Sequence, residues 1–156
     1  MTARSLTGGE RALAASVFGN AIDYDAVEIR NAKWAFFQPA RVTMAPMGHI
    51  HFNPKGGLYC DDFCERSLSL QGHFIHEMTH VWQAQTMGRW YLVLMRHPWS
   101  RYDYVLRPGW RLARYGLEQQ AEIVRHVFLL RRGARVAGAP PLASYEGVLP
   151  FTPSAG

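Results

Sequence analysis

His76-Glu77-Met78-Thr79-His80 is the stretch of this sequence whose residue types and spacing could do chemistry. Two histidines four residues apart on a helix stand one turn from each other on the same side, where both imidazoles can hold one zinc ion. A glutamate between them lies beside the metal, where its carboxylate can take a proton from an activated water. So short a motif also arises by chance, so its surroundings decide. On a helical wheel Leu70, Phe74, Ile75, Met78, Val81 and Trp82 share an arc of roughly 140°. His73, His76, Glu77 and His80 lie together on the opposite arc, and a merely solvated polar face does not explain that collection.

A catalytic zinc usually takes three protein ligands and leaves one position open. His73 shares the helix face but sits about 10 Å along the axis from His80, so it reads as a cleft-lining or supporting group, or as an exposed helix start. Beyond His80 the acidic residues are Asp103, Glu118, Glu122 and Glu146. Glu118 and Glu122 stand one turn apart, so Glu118 could reach the metal while Glu122 hydrogen-bonds a ligand histidine from behind. Asp103 is the alternative ligand, and a solvated acidic face beside Arg125 is the bland reading of the glutamate pair.

The elements that must position these groups are also readable. Thr7-Gly8-Gly9-Glu10 has capping-box spacing and predicts a first helix running to about Gly19. Val27 and Ile29, Trp34 to Phe37, Val42 to Met44 and His49 to Phe52 are short β-prone pieces, and they predict a small antiparallel or mixed sheet that ends at Asn53-Pro-Lys-Gly-Gly57. The histidine-bearing helix should span about 69–87, with Gly88 as its cap. A second strong helix should span about 117–132, with Leu117, Ala121, Val124 and Phe128 on one stripe and Gly133 just past its end. The fold class expected is therefore α+β. Residues 90–115 are aromatic, basic and broken by Pro98 and Pro108, and no element is assigned there. The chain divides into one domain over 1–136 and a proline-rich tail over 137–156, expected to be irregular and loosely attached.

With 156 residues, 48% hydrophobic and 19% charged, the chain can bury a core of its own. Its longest apolar runs, such as Tyr91 to Met95, are too short to span a bilayer. The polar N-terminus lacks the apolar stretch of a secretory signal, which makes the cytoplasm the expected compartment. Cys60 and Cys64 have no second pair to complete a structural zinc site and read as free thiols. The net charge of +5 is concentrated in arginines between Arg89 and Arg135, but no nucleic-acid motif accompanies them and no nucleic-acid partner is expected.

His76-Glu-Met-Thr-His80-Val-Trp-Gln83 followed by Glu118-Gln-Gln-Ala-Glu122 resembles the gluzincin branch of zinc metallopeptidases, in which the later helix supplies the third ligand from an ExxxD or ExxAD motif. The resemblance implies a zincin-like fold with Zn2+ held by His76, His80 and Glu118. It puts Glu77 as the general base and Glu122 as the outer acid, where the family has Asp. It also implies a peptide or protein substrate laid as an added strand along a sheet edge, which would make His49 and His51 border the cleft. The oxyanion-stabilising group could be Tyr115, Tyr104, His97 or His126. The whole chain, from Leu6-Thr-Gly-Gly-Glu10 through Gly48-His-Ile-His-Phe52, also resembles short stand-alone bacterial zincin-like proteins, some of them related to the Vgr and Rhs components of type VI secretion. That likeness implies a secretion component exported by a specialised system. An amide hydrolase acting on cell-wall peptide and a zincin-fold binding or accessory module are the other classes that fit.

Overall fold

Thr7 opens the first helix, α1 (Gly8–Phe18), with both halves of a capping box: its hydroxyl accepts the Glu10 amide and the Glu10 carboxylate accepts the Thr7 amide. The computed structural model describes residues 3–35, 38, 40, 43–45, 48–88 and 101–153. Three short strands, β1 (Ala3–Ser5), β2 (Glu28–Arg30) and β3 (Ile50–His51), form a sheet in that order. β1 pairs antiparallel with β2, and β2 pairs parallel with β3 through Ile29 opposite Ile50. Beyond β3, Met44 forms a single antiparallel bridge to His51. Phe36, Phe37 and Val42, which belong to the expected β-prone pieces, lie outside the described residues, as does His97.

Helix α2 (Leu68–Met87) starts at Ser67, whose hydroxyl accepts the Leu70 amide, and stops at Gly88, whose φ of 95° favours glycine. Helix α3 (Leu117–Arg131) packs on it in the most extensive contact between elements. The crossing is close at Gly72, where an added methyl would stand 3.1 Å from the Leu129 side chain. On its apolar side α2 meets a stack of rings, with Phe74, Phe63 and Phe52 in successive contact at 5.4 Å. Every residue from Phe74 to Val81 is buried, so α2 runs through the middle of the α+β fold with the sheet side on one flank and α3 on the other.

Residues 101–116 form a strap without regular structure apart from a short 3-10 turn, Leu112–Arg114. Apart from a short 3-10 turn, Leu142–Tyr145, the tail is irregular, as its prolines predict, but it is docked and not loose. Tyr145 and Val148 are buried, the Leu112 amide donates to the Val148 carbonyl, and Phe151 packs edge-on against both Phe18 and Trp82. Among the described residues no helix is long and apolar enough to cross a membrane.

Candidate metal centre

His76 and His80 lie one turn apart on the α3-facing side of α2, and Glu118 sits in the first turn of α3. Glu118 Oε2 is 3.3 Å from His76 Nε2 and its Oε1 is 3.1 Å from His80 Nε2. The ligand atoms of the three residues all lie within 4.8 Å of one another, and all three are buried. Glu77 is 4% exposed, and its Oε2 has no hydrogen-bond partner among the described residues.

The groups behind the histidines fix which ring nitrogen carries the proton. The Gln83 amide nitrogen donates to the Leu117 carbonyl and to Gln120 Oε1, leaving its oxygen to accept from His80 Nδ1 at 2.8 Å. Gln120 is held in turn by the Tyr115 carbonyl. His76 Nδ1 lies 3.2 Å from Glu122 Oε2, a carboxylate also gripped by Arg125. With both rings neutral and both Nδ1 atoms donating backwards, both Nε2 lone pairs would face the Glu118 carboxylate, acceptor against acceptor. A proton or a metal cation between its members relieves such an arrangement.

A proton gives only part of that relief. Burial works against charging His76, but the Glu118 and Glu122 carboxylates outweigh it and push its pKa up to about 9. Burial likewise works against an ionised Glu122, yet His76 and Arg125 hold it down to about 2. A divalent ion satisfies all three inward-facing groups at once, and two imidazoles with one carboxylate are a donor set that suits zinc. The residues therefore fit the metal.

Asp103, the alternative ligand, is exposed and stands outside this cluster, its main-chain carbonyl accepting from Gln119. His73 Nε2 pairs with the Thr43 hydroxyl at 2.8 Å, tying α2 to the segment that bridges β3. His49 Nδ1 accepts the Glu28 amide, so this ring braces β2. His51 is buried, which depresses its pKa to about 4, and both its main-chain groups are taken by Met44. At His51 the main-chain edge beyond β3 is thus already paired with Met44. Tyr115 is also buried, its hydroxyl accepting the Arg107 amide, which makes it a strut under the strap. Tyr104 bonds His126 Nδ1 at 2.7 Å and also the Tyr145 hydroxyl.

Two further residues belong to the site. Gln83, fully buried, had a readable signal in its spacing of three from His80. Tyr102, whose ring stacks on His76 with centroids 6.0 Å apart, sits in the strap, where no periodicity points to it.

No family model matches the chain. The type VI secretion system spike protein VgrG2b of Pseudomonas aeruginosa is 39% identical over 157 residues, covering 97% of this chain and 15% of that protein. The solved effector domain of Pseudomonas aeruginosa VgrG2b matches with a TM-score of 0.72 and 38% identity, over 94% of this chain and 83% of that domain. The chain belongs to the VgrG2b effector-domain family. It corresponds to most of that effector domain and to a small part of the full spike protein.

Proposed function

We propose that the chain is a zinc-dependent hydrolase of peptide bonds, a zincin-like metallopeptidase module. The observation that carries this reading is the pair of buried Nε2 lone pairs facing a buried carboxylate, with the unpartnered Oε2 of Glu77 alongside. A zinc ion bound by His76, His80 and Glu118 would supply a Lewis acid toward a carbonyl oxygen and bring the pKa of water at its open position toward neutrality. Glu77, with its unpartnered carboxylate oxygen, would act as general base, holding the proton of the attacking water and passing it to the leaving amine. Gln83 and Glu122 keep the two imidazoles in the one tautomer that can act as ligands. The likeness to a spike protein's effector domain supports a matching role, that of an effector module exported with a type VI spike.

The test is a peptide-library digest with zinc-loaded protein, with and without chelator, set beside Glu77→Gln. Losing a positioned base costs about 10² to 10⁴ in rate. The variant should bind zinc and peptide as wild type does but fail to cut. Equal behaviour of the two proteins would mean that no hydrolysis runs through this site, and a binding module would replace the enzyme.

A further inference from the structure

A groove of about 960 Å³ runs beside the metal centre and shares two side chains with it. Tyr102, stacked on His76, and Glu122, bonded to its Nδ1, both line the groove. The rest of the lining is the strap from Asp103 to Arg111, His126 on α3, and two pieces of the tail, residues 137–140 and Ser144 with Glu146 to Val148. This volume is at the upper end of what a single small ligand occupies, roughly 300–1,000 Å³.

The large hydrophobic residues left exposed among the described ones are Val105 at 75%, Tyr102 at 46% and Leu142 at 39%. Val105 and Tyr102 both line this groove, and grouped exposed apolar side chains mark a surface that takes a partner. The lining is also fixed in shape. Tyr104 is tied to His126 on α3 and to Tyr145 in the tail, so one hydrogen-bonded unit holds strap, helix and tail around the groove. A fixed wall that mixes exposed apolar side chains with charged and hydrogen-bonding groups, and shares side chains with the metal centre, matches an extended polypeptide, which carries amides and side chains at regular spacing.

We propose that this groove binds the polypeptide on one side of the scissile bond, making the substrate a protein or long peptide, not a small amide, with Val105 setting that preference. The proposal rests on the hydrolase reading above.

The experiment measures cleavage by zinc-loaded protein of one cleavable core lengthened stepwise to about a dozen residues, enough to span an extended site. The catalytic efficiency, kcat/KM, should rise with length and then level off. Val105→Asp, at an exposed position where folding tolerates a charge, should lower kcat/KM for the longest peptide by about tenfold, mainly through KM. Leu142→Asp, an exposed apolar position outside the groove, should leave it unchanged. In parallel, fluorescence anisotropy follows binding of the longest peptide to Glu77→Gln with and without Val105→Asp. Cleavage that ignores both length and Val105→Asp overturns the groove and leaves the hydrolase standing. No cleavage at any length, with peptide binding that still depends on Val105, removes the hydrolase and keeps the groove. Neither cleavage nor binding overturns both.

Discussion

Glu10 and Glu118 are both buried carboxylates, and their surroundings differ in kind. Glu10 receives the Arg4 guanidinium on both oxygens at 2.9 Å, together with the amides of Thr7 and Phe63. Charge and hydrogen-bonding capacity are both met within the protein, so Glu10 joins β1, α1 and the 3-10 turn Phe63–Glu65. Glu118 instead faces the Nε2 atoms of His76 and His80, and Glu77 beside it keeps an unpartnered oxygen. Burying a carboxylate against acceptors is costly unless something positive arrives. The first cluster is complete as a scaffold, while the second has the donor set of a cation site.

That contrast can be broken at either end. Glu10→Gln removes one partner of a buried ion pair and should lower unfolding stability by about 3 kcal/mol, with the extra stability conferred by zinc unchanged. Urea denaturation with and without zinc reads both quantities. Glu118→Gln should do the converse. Wild type should gain about 2.7 kcal/mol at zinc one hundred times above its dissociation constant, and the variant should gain none of it. If Glu118→Gln kept the full increment, the difference between the two carboxylates would be illusory.

Acidity sharpens the same point. Without a cation the folded pKa of His76 is about 9, against an ordinary 6.5. Stability from its protonation is therefore complete below about pH 6.5 and lost as pH rises toward 9. Thermal melts of chelator-treated protein should fall across that window. Zinc displaces the proton, so in its presence the fall should flatten or reverse. A chelated protein whose melting point is level from pH 6.5 to 9 would show that His76 is not held charged by Glu118 and Glu122.

Smaller effects belong to the groups behind the ligands. Gln83→Ala and Glu122→Ala should each weaken zinc binding about 10- to 100-fold, the usual cost of losing an orienting partner. Asp103→Ala should change neither zinc affinity nor stability by more than about 0.5 kcal/mol, since it is exposed and apart from the cluster. A titration that ranked Asp103→Ala as the weakest binder would transfer the ligand role to it.

The helices were legible because local signals set them. Thr7 and Glu10 announce α1, and apolar residues at helical spacing with glycine just beyond announce α2 and α3. His76, His80, Glu118 and Glu122 could be picked out for the same reason, since each pair is one turn apart on a helix. What stayed hidden depends on distant pairing. Ala3-Arg4-Ser5 carries no β-branched residue and becomes a strand only because Glu28–Arg30 lies beside it. Arg4 finds Glu10 through that pairing, and Met44 covers His51 through another. Tyr145, Val148 and Phe151 anchor the tail at a spacing of three, too short a run to stand out among the prolines around them, which suggested looseness. Tyr102 reaches His76 from an aperiodic strap.

The most direct measurement is calorimetric titration of zinc into chelator-stripped protein, repeated in buffers of different ionisation enthalpy. One zinc per chain is predicted, accompanied by proton release near neutral pH, with binding abolished in His76→Ala and His80→Ala. Wild-type protein that takes up no zinc, or histidine variants that keep full stoichiometry, would contradict the claim that these buried groups are arranged around a metal ion.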